Sequence, residues 1–265
     1  MMALSNYEEF LLLQNEKFQL GHAVIDRLDM NQALDRLILA AQADRCSYVV
    51  TPNSDHLVML ESNSLFREVY SGALLTLADG MPVVWASRLL GKGLKERVTG
   101  AALLPLLCAR AAKSGLKVYL LGAGAGVAEE AKRILESQNP GLEIVGVYSP
   151  PIGFERDETE NNKIISMIGG SGADIIFVGL GAPKQEIWIH KNQYRFDKGL
   201  FLGVGAAIDF TANRVRRAPI WMQNSGTEWI YRLYQEPSRL AKRYVKDTYV
   251  LWIIFRQYFR DRTSK

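Results

Sequence analysis

The chain is predicted to fold as an α/β protein: a Rossmann-like, mostly parallel sheet flanked by helices, carrying a helical basic C-terminal appendage. Three observations predict this. Short β-rich apolar runs alternate with helical ones from residue 47 to residue 204. Glycines and capping residues stand where the strands hand over to the helices. Beyond Phe210 the alternation stops, and the chain becomes dense in Trp, Tyr and Arg.

Taken in order, residues 47–51 (SYVVT) read as a buried strand, and 54–63 as the helix after it. Residues 74–78 form a second strand. Asp79-Gly80 then opens a helix over 81–90. A strand at 116–121 and a helix at 127–138 follow, then a strand at 142–148. The segment 149–160, with two prolines and Gly153, reads as a loop. Helices at 161–168 and 183–192 flank a strand at 174–180, and the last strand covers 199–204. Residues 214–219 are a basic linker. Helices are expected over 220–235 and 237–260, with Pro237 in a first turn, where its missing N–H does no harm. The domains are read as 1–210, the sheet domain, and 211–265, the appendage.

With 265 residues, 48% hydrophobic and 23% charged, the chain can bury a full core without staples. Cys46 and Cys108 lack metal-ligand spacing and read as buried thiols. His22, His56 and His190 form no zinc-type pair, so no metal is expected. Residues 1–19 do not have the build of a secretory signal. No run reaches the roughly 18 apolar residues of a spanning helix. A cytoplasmic protein lying on the membrane surface is expected. The charge is uneven: residues 214–265 hold 12 Lys/Arg and four Asp/Glu, a net of +8, whereas the whole chain carries +4. The body is therefore acidic, and the tail calls for an anionic partner, lipid or nucleic acid.

Ligands of parallel α/β sheets sit outside the carboxyl ends of the strands. Four junctions there carry polar groups. Thr51 and Asn53 follow the first strand and offer hydroxyl and amide groups, or a helix cap. Asp79, beside the flexible Gly80, is a candidate general base or an N-cap. Gly122, Gly124 and Gly126 let backbone N–H groups approach a phosphate. Their spacing breaks the dinucleotide fingerprint, because Val127 stands where its third glycine belongs. Gly181, Lys184 and Gln185 follow another strand, with Lys184 able to neutralise a diphosphate. No Asp-x-Asp occurs, so basic residues and helix N-termini are expected to do that work, with no cofactor. A nucleic-acid-binding protein using the aromatic tail and a nucleotide-dependent oxidoreductase remain as rival readings.

The segments TPNSDHL (51–57), LADGMPVVW (77–85), RVTG (97–100), LLGAGAGVAEEA (120–131), FVGLGAPKQE (177–186), GVGAAIDF (203–210) and RAPIWMQ…EWIYRLYQEPSRLAKRY (217–244) together resemble the WecG/TagA/CpsF family of bacterial glycosyltransferases. The resemblance covers about residues 20–245. It implies inverting transfer from a UDP-sugar to an undecaprenyl-diphosphate-linked sugar. N-acetylmannosamine, its uronic acid and glucose-type sugars are the donors it implies, in cell-surface polysaccharide or teichoic acid synthesis. It implies Asp79 as the base, with Thr51, Asn53 and Gln185 in the same pocket. It also implies that Arg232, Arg239 and Arg243 close over the diphosphate. One position departs: the family pattern has an aspartate where this chain has Ala102, which implies a different donor sugar, a substitute such as Asp209, or reduced activity.

Overall fold

A computed structural model describes residues 16–263, without the side chains of Asn224 and Arg239. Most of the stretch read as lacking a signal therefore lies outside the described residues. Strands β1 (Lys17–Leu20) and β2 (Ala23–Asp26) form an antiparallel hairpin turned at Gly21, whose φ of 58° suits glycine. Six strands form the main sheet: β3 (Cys46–Val50), β4 (Leu75–Thr76), β5 (Lys117–Gly122), β6 (Glu143–Tyr148), β7 (Ile175–Gly179) and β8 (Gly199–Gly203). They run parallel in the order β4-β3-β8-β7-β5-β6, as the alternation predicted.

The strands are apolar on both faces because helices cover both. Val49, Leu120, Phe177 and Leu202 face α1 (Met30–Ala41), α5 (Gly100–Ser114) and α6 (Val127–Gln138). Tyr48, Val50, Leu121 and Phe201 face the hairpin together with α2 (Ser54–Ser62), α3 (Ser64–Ser71), α7 (Glu158–Ser171) and α8 (Lys184–Asn192). Period-2 alternation thus splits the core into two halves around one sheet. The remaining body helices are α4 (Met81–Leu89) and the short α9 (Ala207–Thr211).

Several elements differ from expectation. The strand expected over 74–78 pairs only at Leu75–Thr76, although Leu77 N–H still reaches Val50 O at 2.9 Å and Asp79 N–H reaches Pro52 O at 2.9 Å. The helix expected over 161–168 starts earlier, because the Asp157 side chain caps it at Glu160 N–H. The hairpin, α1 and α5 had no place in the expected alternation.

The tail has four helices where two were expected: α10 (Ile220–Ser225), α11 (Glu228–Gln235), α12 (Pro237–Asp247) and α13 (Tyr249–Thr263). Gly226, at φ 75°, ends the first in the left-handed conformation. The second break falls at Thr248, whose hydroxyl turns back to Val245 O at 2.7 Å. The tail lies on the body: α12 packs against α2, and α13 against α2 and β1.

Candidate active site

The carboxyl ends of the parallel strands share one edge of the sheet, and the candidate residues gather along it. Thr51 follows β3, is buried, and donates through Oγ1 to Gly203 O at the end of β8, at 3.4 Å. Asn53 caps α2, its Oδ1 accepting from His56 N–H at 3.1 Å. Gly80, at φ 146°, lies against Asn53, so the loop after β4 folds onto the loop after β3.

Asp79 stands where those loops meet. Its N–H is held by Pro52 O, and its carboxylate accepts from Gly100 N–H at the start of α5. Burial pushes its pKa up to about 6. Arg97, the Gly100 N–H and Arg232 pull it down, and Glu228 pushes the same way as burial. Val98 N–H donates to Ala78 O at 2.8 Å, which lays Arg97 beside Asp79. The result is a carboxylate that ionises near neutral pH next to an arginine, an arrangement suited to a general base.

Gln185, almost fully buried, ties the other side of the site together. Its Oε1 accepts from Gly181 N–H at 3.2 Å and Gly205 N–H at 3.1 Å. Its Nε2 donates to Glu186 Oε1 at 2.7 Å. One amide thereby joins the loops after β7 and β8. A Cβ at Gly203 would sit 2.8 Å from Gln185 Nε2, so a larger residue there would displace this amide. Beneath lies a buried chain. His56 Nε2 is 3.9 Å from Glu186 Oε1, and His56 Nδ1 is 2.7 Å from Tyr70 Oη. Burial, then the charge of Arg243, lowers the His56 pKa to about 3, so the ring is neutral. Burial raises Glu186 to about 7.

The glycine run is placed at the end of β5. In sheet order, β5 is four strands from β4, or roughly 19 Å at the usual strand spacing. Gly122 is required for a close approach between strands: a Cβ would lie 2.4 Å from Gly179 O. Gly124 and Gly126 are exposed, and Gly126 (φ 76°) opens α6, whose first turn holds Glu129 and Glu130. Lys184 pairs with Glu155 of the 149–160 loop at 3.2 Å.

The tail residues divide. The Arg232 guanidinium lies over the Phe210 ring at 5.7 Å and its charge reaches Asp79. Arg243 pairs with Asp55, at the start of α2, at 2.9 Å, and with Asp247 at 3.9 Å. The Arg239 side chain is outside the described residues. Asp209 lies on α9, which packs against α5, the helix that carries Ala102 in its first turn. Ala102 N–H is bonded to Thr99 Oγ1 at 3.1 Å, so position 102 belongs to a capped helix start.

Sequence reasoning passed over Arg97, Glu186 and Glu228 as site residues. Arg97 lay in a recognised segment, but only the contact of its loop with Ala78 places it beside Asp79. Glu186 reads as an ordinary first-turn acid, and Glu228 falls inside the single helix expected over 220–235.

The profile of the glycosyl transferase WecG/TagA/CpsF family matches residues 18–264. A protein of Bacillus spizizenii, named N-acetylglucosaminyldiphosphoundecaprenol N-acetyl-beta-D-mannosaminyltransferase, is 32% identical over 208 residues, covering 78% of this chain and 79% of its own length. A match that runs through sheet and tail alike, and a relative aligned over most of both chains, place the molecule among glycosyltransferases: the chain belongs to the WecG/TagA/CpsF family.

Proposed function

We propose that this glycosyltransferase moves a sugar from a UDP-sugar to a sugar carried on a lipid diphosphate, with inversion and without a metal ion. The observation that carries this reading is Asp79: a carboxylate at a strand end, raised to about 6 by burial, with Arg97 and Arg232 beside it. The relative's name gives an undecaprenyl-diphosphate acceptor and an N-acetylmannosaminyl group, and these support the proposed substrate class.

The donor lies along the strand ends with its diphosphate toward Arg232, since the glycine turn at 122–126, roughly 19 Å along the sheet from β4, is too far from Asp79 to hold it. Thr51 and Asn53 bind its polar groups. The acceptor hydroxyl attacks the anomeric carbon from the face opposite UDP. Its proton passes to Asp79 as the bond to the diphosphate breaks, and UDP leaves with the electron pair. Arg232 and Arg239 stabilise that leaving charge. Gln185 positions the two loops, and Arg243, held by Asp55, seats the helix it stands on. The basic tail puts the enzyme on the inner face of the cell membrane, where such an acceptor is found.

Asp79→Asn tests the assignment. Turnover should fall by about 10²–10⁴-fold, with UDP binding retained. In the parent, a base that ionises near pH 6 is protonated below it, so the rate should fall as pH drops through about 6. Near-normal turnover by the variant removes Asp79 as the base.

A further inference from the structure

Glu228, the first residue of α11, holds two arginines. Its Oε2 is 3.1 Å from Arg97 Nη1, and its Oε1 is 3.7 Å from Arg217 Nε, with all three side chains largely buried. The position is fixed from two sides. Gly226, two residues earlier, packs so closely on α4 that a Cβ would lie 2.7 Å from Met81 Cβ and 2.8 Å from Trp85. Helix α4 itself begins two residues after Asp79. On the other side, the 2.8 Å bond from Val98 N–H to Ala78 O keeps Arg97 next to Asp79.

Arg97 therefore has two carboxylates in its neighbourhood, one on the body and one on the tail. Left with Asp79 alone, a largely buried guanidinium would form a charge-assisted pair with it. A carboxylate committed to such a pair is a poor proton acceptor. We propose that Glu228 is a positioning residue for the transfer reaction: by pairing with Arg97 it draws that guanidinium off Asp79 and leaves the carboxylate free to take the acceptor's proton. The inference rests on the reading of Asp79 as the base.

The charges around the pair are consistent with this. Asp79 is faced by Arg97, the Gly100 N–H, Arg232, Glu228 and the Tyr70 hydroxyl. Glu228 is faced by Arg97, Arg217 and Tyr244. Among the groups that shift Asp79, Glu228 acts with burial, and the cations and the N–H act against it. Removing the Glu228 charge both deletes that push and releases Arg97 toward Asp79. Both changes lower the pH at which Asp79 ionises.

The experiment uses the full chain in four forms: parent, Glu228→Gln, Glu228→Asp and Asp79→Asn. Carbon-13 labelling of aspartate carboxyls follows the Asp79 titration without substrate, its signal being the one missing from the Asp79→Asn protein. The pH–rate profile of transfer is measured in parallel. For Glu228→Gln, the titration midpoint and the acid limb should both move down by at least about half a pH unit. The value of kcat should fall about tenfold, with KM for the nucleotide sugar changed by less than about twofold. Glu228→Asp keeps the charge with a shorter reach, so it should move the midpoint in the same direction by less. It decides the matter if Glu228→Gln does not fold. An unmoved midpoint, or a rise in KM with kcat intact, overturns the proposal. An active Asp79→Asn protein removes the base instead, while the carboxyl titration still reports whether Glu228 governs Asp79.

Discussion

Glu186 is a carboxylate with almost no solvent, held by the Gln185 amide and a backbone N–H. Its Oε1 takes the Gln185 amide, and its Oε2 has no hydrogen-bond partner. Burial raises its pKa from 4.5 to about 7, with Gln185 opposing and Asp55 adding to the rise. The folded protein thus binds this proton more tightly than the unfolded chain. The resulting stability is fully present below about 4.5 and is lost as pH rises through about 7. Glu186→Gln keeps an oxygen for Gln185 and removes the charge. It should raise Tm at pH 8.5 by an amount equivalent to about 1–3 kcal/mol, with the gap closing at pH 5. Equal melting of the two proteins at pH 8.5 would show that the buried charge costs nothing. This residue also marks the limit of reading at this scale. Asp79 was legible because a carboxylate after a strand is a local pattern. Glu186 and Glu228 acquire their roles from partners distant in sequence, such as His56 and Arg97, and no local pattern carries those pairings.

At the scale of elements, strands β3 and β5 to β8 were legible because apolar density and flanking turn residues mark them over five or six residues. Strand β4 was expected at 74–78, but its extent was not legible, because its pairing ends at Thr76 while the chain stays extended to Asp79. The hairpin was missed for a related reason. Its strands are four residues each, with Lys17, Gln19 and Val24 exposed, and the burial of Phe18, Leu20 and Ile25 depends on helices that come later. One of those is α13, the end of the tail. Gln257, almost fully buried, accepts from Gly21 N–H at 2.8 Å and donates to Gln19 O at 2.6 Å, as a strand partner would. Ile253 packs beside it, 3.0 Å from where a Cβ on Gly21 would lie. Gln257→Ala removes the partner of two part-buried backbone groups, at a cost of about 1 kcal/mol. Because the loss falls on one contact, it should appear as local opening of α13. Amide exchange at Gly21 and protease cleavage after Thr248 should both speed up. Unchanged exchange at Gly21 would mean that Ile253 and the Arg256–Glu61 pair hold the helix by themselves.

For the whole molecule, the decisive property is where charge and apolar surface coincide. The tail holds the positive excess, +8 against +4 for the chain, and much of the exposed large apolar surface. On α13, Trp252, Phe255 and Phe259 stack along one side at spacings of three and four residues, each about half exposed. On α10 and α11, Ile220, Trp221 and Ile230 are exposed as well. Half-exposed aromatics beside basic side chains suit shallow insertion into a lipid surface, and no described helix is long and apolar enough to cross a membrane. The reading separates two contributions with different salt responses. Attraction to anionic lipid, about 1 kcal/mol per nearby basic residue, is screened at high salt, whereas apolar insertion is not. Binding to vesicles with 30% anionic lipid should therefore weaken at least about tenfold between 0.1 and 1 M salt. Trp252→Ala with Phe255→Ala should reduce what remains at 1 M. Sedimentation with vesicles measures both. Affinity that does not change with salt would assign the contact to the aromatic stripe alone. Full loss at 1 M with no effect of the double substitution would assign it to charge. The arginine Arg232 on α11, whose charge reaches Asp79, and the stripe on α13 belong to one tail anchored on α2. A lipid surface that steadies α13 therefore also steadies the tail side of the catalytic pocket, so transfer measured on vesicles should show the same salt dependence as binding.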